Sequence, residues 1–162
     1  MKAIVVYFSL SGHTKYVAEA VATRLGAEVL RLETRRPYPH NRAMQMVVGG
    51  FAAMVGRSRR LKPYRFGKGK YDLVVLATPV WASRIVPPMK RFLKEHALEE
   101  IPVGLIACCA GGETKGALEM LRAQAKNVVA ELSLVDPSAQ NAEKNRAAID
   151  EFCGKLKAKH GV

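Results

Sequence analysis

Five short runs, at 3–6, 28–32, 72–77, 101–107 and 128–134, are apolar or alternate apolar with polar residues as strands do. Between them lie stretches with apolar residues at helical spacing. Val17, Ala18, Val21, Ala22 and Leu25 mark a helix over 15–25. Ala117, Leu118 and Leu121 mark one over 114–126, and Ile149, Phe152 and Leu156 a closing helix over 140–158. Pro87-Pro88 open another, through Met89, Phe92 and Leu93, because proline suits a first helical turn. Residues 41–56 read as a helix weakened by Gly49-Gly50, and 57–70 as a basic loop. Apolar strands that alternate with helices need cover on both sides of their sheet. The expected fold class is therefore α/β: one doubly wound, five-stranded parallel sheet with helices on both faces, in a single domain over 1–162. Ligands in such sheets sit outside the carboxyl ends of the strands. That singles out the loops 9–14, 78–84 and 108–114, with Thr78-Pro79 read as a sharp turn after the third strand.

Composition narrows the function classes. The hydrophobic fraction of 49% and charged fraction of 25% are those of a water-exposed globular chain. The start of the chain reads as a strand rather than a targeting segment, and the apolar stretch 44–55 is too short to span a bilayer, so the expected location is cytoplasmic. Cys108, Cys109 and Cys153 are an odd count without C-x-x-C spacing, and His13, His40, His96 and His160 are scattered, so neither a disulfide framework nor a metal site is expected. Cys108 and Cys109 end an apolar run and read as inert, partly buried thiols. The net charge of +12 has one source: ten Lys/Arg and no Asp or Glu lie between Thr34 and Tyr71, which leaves 26 − 10 = 16 basic against 14 acidic residues elsewhere. Such a stripe either steers an acidic partner or is a solvated loop.

The first loop follows Ala3-Ile4-Val5-Val6 and reads Tyr7-Phe8-Ser9-Leu10-Ser11-Gly12-His13-Thr14. Hydroxyls and backbone N–H groups at a helix N-terminus suit a phosphate. Neither GxxxxGK[ST] nor GxGxxG is present, so a nucleotide P-loop and a dinucleotide fingerprint are excluded. Ser11 or Thr14 acting only as a helix cap is the competing reading. The second loop, Thr78-Pro79-Val80-Trp81-Ala82-Ser83-Arg84, holds the single tryptophan, which either stacks on a planar ligand or plugs the sheet edge. The third, Cys109-Ala110-Gly111-Gly112-Glu113, has small residues that let backbone approach a ring closely. Together they converge on a flat phosphorylated ligand, flavin mononucleotide (FMN).

These three segments, with Pro87-Pro88-Met89-Lys90-Arg91-Phe92-Leu93 after the second, occur in the order and spacing of the flavodoxin family, which the chain resembles over nearly its full length. The resemblance implies a strand order 2-1-3-4-5 and an FMN site. Ser9, Ser11, Gly12, His13 and Thr14 would hold the phosphate; Thr78, Pro79, Val80, Trp81 and Ala82 would line the isoalloxazine. Cys109, Ala110, Gly111 and Gly112 would meet its pyrimidine end. Two departures stand out. Gly112-Glu113-Thr114 lacks the aromatic that covers the outer flavin face in many flavodoxins, and this chain is basic where many are acidic. Positive charge near the flavin would favour its anionic reduced form, if the 57–70 stripe lies close to it.

The reading that follows is an FMN-dependent electron carrier between partner proteins, with no catalytic acid or base and with acidic redox partners facing the 57–70 stripe. An alternative is an NAD(P)H oxidoreductase acting on a quinone or similar small acceptor, with Met44, Met46, Phe51 and Met54 as a pocket wall or, more plainly, a core helix. A non-redox basic binding protein is a third reading, but no helix-turn-helix or basic-aromatic repeat supports nucleic acid.

Overall fold

The computed structural model describes residues 1–39, 60–137 and 141–159. The elements are β1 (Ala3–Tyr7), α1 (His13–Leu25), β2 (Glu28–Arg31), a short 3₁₀ turn (Lys68–Lys70), β3 (Leu73–Trp81), β4 (Arg84–Ile85), α2 (Pro87–Glu95), β5 (Val103–Cys109), α3 (Lys115–Ala125), β6 (Val128–Val135) and α4 (Ala142–Ala158). The helix expected over 41–56, its Met and Phe residues, and the start of the basic loop lie outside the described residues.

Five strands pair in parallel in the order β2-β1-β3-β5-β6, so the expected 2-1-3-4-5 topology is present once β4 is set aside. That extra strand is two residues long and pairs antiparallel with the end of β3, Val80 with Ile85 and Trp81 with Arg84. Alternation along the strands separates two apolar layers. Ile4, Val6, Val74 and Leu76 face α2 and α3 through Met89, Phe92, Ala117 and Leu121. Val5, Leu73 and Val75 face α1 and α4 through Val17, Val21, Phe152 and Leu156. Both faces of the sheet are thus covered, as its apolar strands require.

The third strand corrects the expected turn at Thr78-Pro79. β3 runs on to Trp81, with Thr78 opposite Ala107 and Pro79 opposite Cys108. Proline is tolerated because β1 stops at Tyr7, opposite Ala77. At Pro79 β3 pairs with β5 alone, before β4 joins it at Val80, so the missing proline N–H leaves no carbonyl of a neighbouring strand unpaired. The chain reverses just past Trp81, at Ala82 and Ser83, which both adopt left-handed backbone with φ of 49° and 57°. Two such residues between paired strands form the hairpin turn whose twist matches the strands. Neither is glycine or asparagine, so the turn carries strain.

Candidate functional site

The three loops singled out by the sequence meet at the carboxyl ends of β1, β3 and β5. They enclose a cleft of about 370 Å³. Ser11, His13 and Thr14 line one end; Pro79, Val80, Trp81 and Ala82 one wall; Cys109, Ala110 and Gly111 the other.

The competing readings of the first loop are separated by how α1 begins. Gly12 precedes the helix in the left-handed region, at φ 96°, and no side chain caps it. The first helical bond runs from the Tyr16 N–H to the Gly12 carbonyl, at 2.9 Å. The N–H groups of His13, Thr14 and Lys15 therefore have no partner among the described residues, and no acidic residue occupies the first turn. Thr14 is buried at 2% exposure and lines the cleft, with its hydroxyl beside the Cys108 thiol. An uncapped helix N-terminus with flanking hydroxyls has the chemistry that suits an anion. Ser9 acts differently: it is buried, and its Oγ accepts the Gly12 N–H at 3.1 Å, which fixes the turn from inside.

Trp81 is half-buried at the end of β3 and meets Phe8 and Tyr38 edge-on, at ring separations of 5.9 and 5.1 Å. These contacts fix the indole plane and leave the ring as part of the cleft wall. Ser9, Gly12, Thr78 and Gly112, expected at the site, do not line the cleft. Thr78 is fully buried and donates to the Pro79 carbonyl at 2.9 Å, while Gly12 and Gly112 supply the positive-φ bends that aim their loops. Leu10, Cys108 and Pro137 line it without having been singled out. Pro137 follows β6, so the same carboxyl-end rule reaches it. Cys108 follows from side-chain alternation along β5 once its register is known.

Among the described residues no Lys, Arg, Asp or Glu lines this cleft, and none of the 57–70 stripe reaches it. The condition under which the stripe would act on the flavin at close range is therefore unmet among the described residues. Three of its lysines are also paired locally: Lys62 with Glu33 at 2.6 Å, Lys68 with Glu100 at 3.5 Å and Lys70 with Glu28 at 2.8 Å.

All three cysteines are buried and unbridged. Burial pushes the Cys108 thiol up to about 12, partly offset by the Thr14 hydroxyl. It likewise raises Cys109, whose Sγ lies 3.5 Å from the Gly112 carbonyl, and Cys153. A neutral, inaccessible thiol is a poor nucleophile. Native protein at neutral pH is expected to resist a thiol-specific reagent at all three positions, and to label at all three after unfolding. Fast native labelling at Cys108 contradicts this assignment. The pH dependence has a definite sign: an unfolded cysteine ionises near about 8.5. The stability from keeping Cys108 protonated is full below that pH and is lost as pH rises toward 12.

No protein-family model matches the sequence, and no curated protein sequence matches it. Solved structures do match. A proposed flavoprotein from Bacteroides eggerthii superposes with a TM-score of 0.72 at 21% identity, covering 93% of this chain and 97% of that one. The fold is flavodoxin-like. A flavoprotein in complex with FMN from Lactobacillus acidophilus gives 0.69 at 18% identity, over 88% of this chain and 97% of that one. A flavodoxin from Streptococcus pneumoniae gives 0.60 at 19%, over 98% and 99%. At these identities the likeness is one of fold. Among the described residues no helix is long and apolar enough to cross a membrane, and no group of three metal-ligating side chains comes together.

Proposed function

We propose that this chain binds FMN in the cleft at the carboxyl ends of β1, β3 and β5, and works as an electron carrier between partner proteins. The observation that carries this is the meeting, in one cleft, of an uncapped helix N-terminus with a fixed tryptophan wall. The donor chemistry fits a phosphate monoester: the first-turn N–H groups of α1, with the Ser11 and Thr14 hydroxyls, hold it without a lysine or a metal. Trp81 and Val80 flank the ring on one side. Ala110 and Gly111, both exposed and without bulk, let backbone N–H and C=O groups reach its polar edge. When bound, the flavin supplies the redox chemistry, and the chain's part is to bind it, orient it and set its surroundings.

One feature favours the oxidoreductase alternative. Among the described residues the wall formed by Ala110 and Gly111 carries no aromatic cover, an arrangement that suits access of a small acceptor or of NAD(P)H to the ring face. For the carrier, the partner is an acidic redox protein approaching the basic stripe; the ion pairs of Lys62, Lys68 and Lys70 leave a weaker attraction than the formal charge implies.

An absorption spectrum of the purified protein, followed by FMN titration, tests the proposal. The expected result is a flavin spectrum with about one FMN per chain; saturable binding that fails to appear refutes it. Steady NAD(P)H oxidation with a quinone and no added reductase moves the reading from carrier to enzyme.

A further inference from the structure

A second cleft, of about 480 Å³, lies between segment 60–66 and the end of α2, and among the described residues shares none of its lining with the first. Segment 60–62 pairs antiparallel with 33–35. Thr34 bridges Leu61, the Arg35 N–H donates to the Arg60 carbonyl at 2.9 Å, and the Lys62 N–H donates to the Glu33 carbonyl at 2.8 Å. This register sets Glu33 opposite Lys62, a matched pair joined by its ion pair. It also sets Arg35 opposite Arg60, and both line the cleft. Like charges directly opposite one another on paired strands are destabilising. Such a conflict between local rules is where a functional site is expected, because a bound anion resolves it.

The other charges do not cancel these two. Arg91 is ion-paired with Glu95, the cleft's only carboxylate among the described residues. Lys62 is committed to Glu33. Arg35 uses its Nε on the Leu61 carbonyl, at 3.3 Å, and Arg60 is exposed with no ion pair among the described residues. His96 adds no charge at neutral pH, since burial holds its imidazole below the ordinary range.

Beside the two guanidinium groups lies a patch of half-buried rings. Phe66 stands 4.8 Å from His96 and 5.0 Å from Phe92, and Tyr64 5.8 Å from His96. The Tyr64 hydroxyl lies 2.9 Å from Glu95 Oε2 and 3.0 Å from His96 Nε2. A hydroxyl has a single proton, and the ionised Glu95 can only accept. Tyr64 therefore donates to Glu95, and His96 carries its proton on Nε2 and donates to Tyr64. The rings are thus held in place rather than free to collapse into the cleft.

We propose that this cleft is a second ligand site, for a small organic anion with an aromatic ring. Its phosphate or carboxylate group sits between Arg35 and Arg60, and its ring lies against Tyr64 and Phe66. Guanidinium forks match both anions bidentately, and the volume is in the range of small-ligand sites. The proposal stands apart from the FMN reading, because the two clefts have no described residue in common.

Calorimetric titration with phenyl phosphate, on protein as purified and on protein saturated with FMN, tests it. Phenyl phosphate is expected to bind saturably in both, and at least about tenfold more tightly than inorganic phosphate. Arg60→Ala, an exposed change that keeps the fold, is expected to weaken it by about 10-fold or more. With FMN saturating the other cleft, Ser11→Ala is expected to leave it unchanged. The proposal is overturned by absent saturable binding, by equal affinity for inorganic phosphate, by indifference to Arg60→Ala, or by competition from FMN that Ser11→Ala relieves.

Discussion

Replacing Ser11 with alanine and Thr14 with valine in one protein is expected to weaken FMN binding by about 100-fold or more, with riboflavin affinity little changed. A hydrogen bond to a charged group contributes about 1.5–3 kcal/mol, or about 10- to 100-fold in affinity. Ser11 is exposed and belongs at the low end; Thr14 is buried and belongs at the high end. Binding is not abolished, because the backbone N–H groups of α1 remain. Valine is chosen at Thr14 because it keeps the volume of a side chain packed beside the Cys108 thiol. Riboflavin carries no phosphate, so a general loss of fold weakens both ligands while a lost phosphate contact weakens FMN alone. Unchanged FMN affinity in the double variant sinks the phosphate assignment, and parallel losses for both ligands turn it into a stability effect.

What could be read from the chain before its structure follows from where water is excluded. The parallel strands were legible because burial on both faces leaves continuous apolar runs such as Leu73-Val74-Val75-Leu76-Ala77. The cleft was legible because three of those runs end in loops of unusual chemistry, and topology sends such loops to one edge of the sheet. Pro79 was misread because a proline ends a strand only where its N–H has a carbonyl to serve, and that depends on β1 stopping at Tyr7. The turn at Ala82 and Ser83 left no trace, since neither residue prefers left-handed backbone. The Arg35 and Arg60 juxtaposition was equally hidden, because it is set by the register of two segments far apart in the chain. Hydropathy reports which face is dry; it does not report which residue ends up opposite which.

Gly116→Ala is expected to lower stability by about 1–2 kcal/mol net, despite putting a better helix former into α3. A β-carbon built on Gly116 falls 2.6 Å from the Ser83 carbonyl oxygen, closer than real β-carbons approach backbone. The obstacle is main chain, so no rotamer change relieves it: either α3 retreats or the hairpin turn deforms. Overpacking of this kind costs about 1–3 kcal/mol, while exchanging glycine for alanine in a helix gains at most about 1 kcal/mol, less in a first turn. The turn has little tolerance, because Ala82 and Ser83 already occupy left-handed backbone that costs about 1–2 kcal/mol per residue. It holds its shape because the β3–β4 pairing closes it on one side and α3 backs it on the other. Ala82 and Trp81 both line the cleft, so displacing the turn moves that wall. The expected readout is a melting temperature lower by roughly 2–8 °C, with weaker FMN binding that extends to riboflavin because the ring side is affected. Gly111→Ala is the matched control: it lies in the opposite wall, and its added β-carbon meets nothing within 4 Å. A Gly116→Ala protein that melts at or above the wild-type temperature means α3 is free to move away from the turn, and the strain at Ala82 and Ser83 is then held by the strand pairing alone.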